Sequence, residues 1–182
     1  MFGKSVVLAP VSGKVLVRPP GAAAFTPLSA LRAVPVGTLV DTTAGRVRLT
    51  SANPAPGGVQ SGQFFQGNFQ IRQPASGGGL VSLVLRDASA RQVACRPAPA
   101  RLARVAAVSK RILGLLRGTA KGHFRTVGRF SAATVLGTQW GVRDRCDGTL
   151  TVVTEGAVSV QNFVTHKTVT VRTGQTYLAK AP

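Results

Sequence analysis

Acid–base, nucleophilic or metal chemistry would have to come from a small stock of side chains: Asp41, Asp87, Asp144, Asp147, Glu155, His123, His166, Cys95 and Cys146. No two carboxylates stand at a spacing that sets a general acid opposite a general base in a recognisable motif. Asp144 and Asp147 flank Arg145-Cys146 and precede Gly148, a pattern that reads as a turn in which an aspartate caps free backbone N–H groups. The same stretch makes a poor calcium loop, because its arginines repel the ion and its oxygens are few. His123 and His166 each stand near a lysine, Lys121 or Lys167. A like charge disfavours the imidazolium but creates no general base, and neither histidine has a nucleophile motif beside it. Gly57-Gly58 and Ser76 to Gly79 lack the lysine and hydroxyl residue of a phosphate loop. Trp140 reads as the core anchor of a strand, with a carbohydrate-stacking platform assisted by Asp144 or Glu155 as the alternative. No catalytic residue, metal site or cofactor is expected.

What the chain has in excess is positive charge. Its 23 Lys and Arg against 5 Asp and Glu give a formal charge of +18, which calls for an acidic partner or a reason to repel its own kind. Nucleic acid, anionic wall polymer and anionic lipid all qualify. The scarcity of aromatic platforms and the lack of a reading helix argue against specific nucleic-acid recognition. Many arginines flank apolar strand residues, as in Gly45-Arg46-Val47-Arg48-Leu49, so they occupy outward strand positions. The candidates for a polyanion-binding face are Arg46, Arg48, Arg72, Arg125, Arg129, Arg143 and Arg172.

Two cysteines are too few for a metal cage, and Cys95 and Cys146 form no C-x-x-C pair. A single bridge in an oxidising compartment is expected, with two buried thiols as the alternative. No apolar stretch reaches bilayer length, and Met1 to Ser5 open no segment of signal-peptide type. The expectation is thus an extracytoplasmic chain whose export signal is not in this sequence.

The elements that must position these residues follow all-β grammar. Thr149 to Val153, Ala157 to Gln161 and Thr168 to Arg172 alternate apolar and polar residues, and Ser5 to Leu8, Gly13 to Arg18, Gly37 to Val40, Gly45 to Thr50 and Gly62 to Gln73 read as further strands. Pro19-Pro20-Gly21, Asn53 to Gly58 and Ala75 to Gly79 supply the breaks. The pattern predicts an all-β domain of many short strands: a sandwich, a roll or a short β-solenoid. A strict solenoid would show a fixed period, whereas the strand openings at Gly13, Gly45 and Gly156 recur irregularly. Strand edges left open would give such a chain a route to self-association. Between Arg86 and Gly118 the grammar changes. Arg96-Pro97-Ala98-Pro99-Ala100 reads as a linker, and Arg101 to Arg117 as a short basic amphipathic helix with Leu102, Val105, Ala106, Ser109, Ile112, Leu113 and Leu116 on one face.

Phe124-Arg125-Thr126, Ser131-Ala132-Ala133-Thr134-Val135-Leu136-Gly137-Thr138-Gln139-Trp140 and Gly148-Thr149 leading to Val153-Thr154-Glu155-Gly156-Ala157-Val158 together resemble the FecR-type domain. Gly13 to Arg18, Phe25 to Leu28 and Val36 to Thr42 resemble its opening strands. The resemblance implies one domain over 1–182, with 11–73 and 123–180 as its two portions and 74–122 as an insertion carrying the linker and helix. It implies a bacterial periplasmic or secreted surface setting; with the basic arginines, the expectation is a non-enzymatic module that contacts anionic cell-wall or extracellular polymer. It transfers no active site.

Overall fold

The computed structural model describes residues 3–86, 95, 110–135 and 137–182. Its regular elements are strands: β1 (Ser5–Arg18), β2 (Thr26–Pro27), β3 (Arg32–Pro35), β4 (Leu39–Ala52), β5 (Val59–Phe65), β6 (Asn68–Arg72), β7 (Val81–Leu85), β8 (Ile112–Lys121), β9 (Phe124–Val127), β10 (Ser131–Val135), β11 (Thr138–Arg145), β12 (Gly148–Glu155), β13 (Ala157–Asn162), β14 (Thr168–Arg172) and β15 (Thr176–Lys180). All belong to one sheet, whose main path runs β14-β13-β10-β9-β7-β6-β4-β5-β8-β11-β12-β15. Every neighbouring pair is antiparallel except β7 and β9, which are parallel. β1 lies off this path, paired with β4 over most of its length and with β2 and β3. Among the described residues no helix is long and apolar enough to cross a membrane.

The sheet bends into a nearly closed barrel at two corners. The first lies within β4, whose Leu39 to Asp41 pair with β6 while Arg46 to Ala52 pair with β5. The second is Gly156, where β12 hands over to β13 although the two strands stand near opposite ends of the path. Gly156 takes φ 76°, and a Cβ there would lie 2.3 Å from the Gly137 carbonyl oxygen, so only glycine fits without displacement. Glu155-Gly156 is therefore a corner between unpaired strands and no hairpin turn. The ends meet where the β14–β15 turn hydrogen-bonds to β12: Gly174 N–H donates to the Val153 carbonyl at 2.9 Å, and Val153 N–H to that of Gln175 at 3.1 Å. The two corners share a sequence. Gly37-Thr38-Leu39 stands before Gly45-Arg46-Val47 at the same spacing as Gly148-Thr149-Leu150 before Gly156-Ala157-Val158.

The predicted basic helix is corrected in its second half. Ile112 to Arg117 lie in strand β8, while 101–109 fall outside the described residues. Period two wins here because Gly114, Leu116, Gly118 and Ala120 are buried, and β5 and β11 satisfy β8's backbone groups from both sides. Gly114 also weakens a helix by about 1 kcal/mol relative to alanine. β7 and β8, both within 74–122, thus sit in the main path of the sheet.

The interior centres on aromatic rings. Phe64 packs against Phe69, Phe124 and Trp140 at centroid distances of 6.0, 5.5 and 6.2 Å. Burying each of these side chains contributes on the order of 1.5–3 kcal/mol. Glycines make the room: a Cβ on Gly118 would meet the Phe64 ring at 2.9 Å and the Trp140 ring at 3.0 Å.

Candidate polyanion-binding face

With large rings filling the inside of β5, β8 and β11, strand alternation sends the intervening residues outward. Register then decides which outward residues are neighbours. Arg46, Phe65, Arg117, Gly141 and Val152 form one row across β4, β5, β8, β11 and β12. Arg48, Gln63, Thr119 and Gln139 form the next, and Thr50, Ser61 and Lys121 the one beyond. Arg143 stands on β11 opposite Leu115. Strand spacing places Arg46 about 10 Å from Arg117, and residue rise places Arg117 about 13 Å from Lys121.

Two depressions mark this face. One of about 110 Å³ lies between Phe65, Arg117 and Arg143, over Gly141 and Trp140. It exists because Gly141 has no side chain between the two arginines. The other, of about 460 Å³, is lined by Arg46, Arg48 and Lys121 with the polar Ser61, Gln63 and Thr119. The Arg46 guanidinium stacks 3.9 Å from the Phe65 ring centroid, and its Nη1 donates to Gln63 Oε1 at 3.4 Å. The stacking holds the charge in place without neutralising it.

Among the described acidic residues, Glu155 borders this face beside Gln139 on β12, and Asp144 and Asp147 are held by partners of their own. Among the described residues the ion pair present joins Arg145 to Asp147, with Arg145 Nε donating to Asp147 Oδ1 at 2.7 Å. The hydrogen bond from Arg145 holds the Asp147 carboxyl below the usual aspartate range, against the opposing effect of burial, and raises the Arg145 guanidinium in turn. Asp144 is 2% exposed. Its carboxylate accepts the Arg129 N–H at 2.9 and 3.0 Å and the Thr149 hydroxyl at 2.5 Å, so it ties the β9–β10 turn to β11 and β12.

Of the arginines expected to form one face, Arg46, Arg48 and Arg143 meet here. Arg72 and Arg125 lie on another part of the sheet, in a row with Ser82 across β6, β7 and β9. Arg129 sits in the β9–β10 turn with its guanidinium 5.0 Å from the Phe130 ring centroid, and Arg172 ends β14. Arg117 and Lys121 are not among the expected residues, because Arg117 stands at the end of the expected helix. The strict alternation of Leu115, Arg117, Thr119 and Lys121 with small or apolar residues was the signal that could have found them.

Trp140 is 2% exposed and its Nε1 donates to Thr126 Oγ1 at 3.1 Å, so its ring offers no face to a sugar. Asp144 and Glu155 face different strand neighbours, Thr149 and Gln139. With Asp144 level with Thr149, Glu155 stands six residues further along β12, about 20 Å away along the strand, well beyond the roughly 5–9.5 Å of paired glycosidase carboxylates. His123 Nδ1 lies 3.0 Å from the Gly78 carbonyl oxygen, and His166 occupies the β13–β14 turn with φ 57°. Among the described residues no three of His, Cys, Asp and Glu converge as a metal site would require. Cys95 and Cys146 form a disulfide with Cα atoms 5.3 Å apart. No protein-family model matches this chain, and no characterised protein or solved structure matches it either.

Proposed function

We propose that this chain is a non-enzymatic, extracytoplasmic or cell-surface module that binds an anionic envelope polymer along the outer face of β4, β5, β8 and β11. One observation carries the reading: Arg46, Arg48, Arg117, Lys121 and Arg143 share that face, and no carboxylate forms an ion pair with any of them among the described residues. The cations spread over an area four strands wide and, from the Arg143 row to Lys121, about 20 Å long, which fits successive charges on an extended polymer better than one small anion. Ser61, Gln63 and Thr119 between them offer hydrogen bonds to a hydrated backbone. The extracytoplasmic part rests on the Cys95–Cys146 bridge, since such bonds persist in oxidising compartments. Kinship with FecR-type domains belongs to the same proposal and rests on the motifs that build β10 to β13.

The test separates location from total charge. Arg46, Arg117 and Arg143 are changed together to Gln in one protein, and Arg32, Arg129 and Arg172 in another, and both are compared with the unchanged chain on immobilised polyphosphate. The face variant should elute at clearly lower salt, and the control near the unchanged protein. Equal losses in the two would mean that binding follows net charge alone and would overturn the assignment.

Self-association through a strand edge is a second reading, favoured by one observation. β14 ends the main path, and Val169 on it is exposed, as are Phe163 and Val164 in the preceding turn. Light scattering over a concentration series decides it; a monomer throughout removes it.

A further inference from the structure

A second cationic groove, on the outer face of β6, β7 and β9, differs from the first in its lining. Register places Arg72, Ser82 and Arg125 in one row, and Val84 and Val127 in the row beside it. Together with Val36 they border an open groove of about 450 Å³, within the roughly 300–1,000 Å³ of small-molecule sites. Where the first face sets Ser, Gln and Thr among its cations, this one sets Val84 and Val127 in the row beside them.

Among the described residues, no acid takes part in organising the polar end. Arg125 donates from Nε and Nη2 to Ser82 Oγ at 3.3 and 3.1 Å, and Ser82 is itself only 5% exposed. Arg72 Nη2 donates to Gln70 Oε1 at 3.5 Å, and Arg86 Nη2 donates to the same oxygen at 2.6 Å. The guanidiniums here have neutral acceptors, Ser82 and Gln70, which position them without compensating their charge among the described residues. A planar guanidinium whose partner is a neutral hydroxyl retains N–H groups that suit a carboxylate.

We propose that this groove binds a long-chain carboxylate, with its head group on Arg72 and Arg125 and its hydrocarbon chain along Val84, Val127 and Val36. Charge complementarity selects the anionic head, and the valines select the chain. The site is independent of the polymer face, since it shares none of that face's residues.

Titration calorimetry with laurate tests it, with acetate and dodecyltrimethylammonium as comparison ligands. Laurate should bind in a one-to-one complex, and acetate and the cationic amphiphile should not. Joint replacement Arg72→Gln and Arg125→Gln should weaken laurate by about tenfold or more, the equivalent of a charge-assisted hydrogen bond of about 1.5 kcal/mol. Val127→Ser should weaken laurate while leaving the circular dichroism spectrum unchanged. The face variant lacking Arg46, Arg117 and Arg143 should bind laurate as the unchanged protein does, so that failure of the polymer reading and failure of this one remain separable. No laurate binding overturns the proposal. Acetate binding as tightly as laurate would reduce the site to a simple anion site, and equal binding of the cationic amphiphile would reduce it to an unselective apolar surface; either result also overturns it.

Discussion

Gly67→Ala tests whether the β5–β6 turn holds the register of the polymer face. A Cβ on Gly67 would stand 1.7 Å from the Leu115 carbonyl oxygen of β8, where contacts below 3.0 Å are not tolerated. Turn and strand must therefore separate. The turn has little freedom to yield, because it is fastened to Thr42 of β4. Thr42 N–H and the Thr42 hydroxyl donate to the Gly67 carbonyl at 2.8 and 2.9 Å, Gly67 N–H donates to the Thr42 hydroxyl at 3.3 Å, and Gln66 N–H donates to the Thr42 carbonyl at 2.9 Å. Breaking most of these at about 1 kcal/mol each gives a loss of about 3 kcal/mol. For a chain of this size that is a fall in Tm of about 6–12 °C. The comparison is Gly141→Ala, whose Cβ would meet Arg117 Cγ at an ordinary 3.4 Å, and which should stay within about 0.5 kcal/mol of the unchanged protein. Calorimetric melting of both variants decides the matter. If Gly67→Ala melts with Gly141→Ala, the turn is not wedged between β4 and β8 and the reasoning is refuted.

Loss of the Cys95–Cys146 bridge, which spans a sequence separation of 51, should destabilise the chain by up to about 4 kcal/mol on the chain-entropy model. Melting with and without reductant measures this, and mass spectrometry after thiol alkylation should find no free thiol before reduction. For Asp147, a folded pKa below the unfolded one means that its contribution is present above the ordinary aspartate value of about 3.9 and is lost as pH falls through the lower folded value. Asp147→Asn should therefore be less stable by about 1 kcal/mol at neutral pH. Denaturant titrations at a series of pH values should show the gap closing only in acid; a gap that stays constant to low pH would contradict the pairing with Arg145.

The strands were legible where one face alone is buried, as in Ala157 to Gln161 and Thr168 to Arg172, because period-two alternation records that directly. β8 was not. In Ile112 to Leu116 the apolar residues are crowded enough to satisfy a helical period as well, and the two flanking strands that decide the matter, β5 and β11, are remote in sequence. Closure of the sheet was hidden for the same reason: the parallel pairing of β7 with β9 and the meeting of the β14–β15 turn with β12 are long-range facts. Of the candidate site, the outward placement of Arg46, Arg48 and Arg143 could be read locally. Which arginines become neighbours depends on strand order, so Arg72 and Arg125 separate from them, and Arg117 and Lys121 join them.

The central claim is that a few cations on one face engage successive charges of a polymer. Its most direct test is the dependence of polyphosphate affinity on salt, measured by fluorescence anisotropy. With Arg46, Arg48, Arg117, Lys121 and Arg143 each displacing a counterion, log K should fall against log salt concentration with a slope of about −3.5, at roughly 0.7 per contact for a single-stranded polyanion. The variant lacking Arg46, Arg117 and Arg143 should show a slope near −1.4 on the same scale. An affinity indifferent to salt, or the same slope in both proteins, would contradict the account.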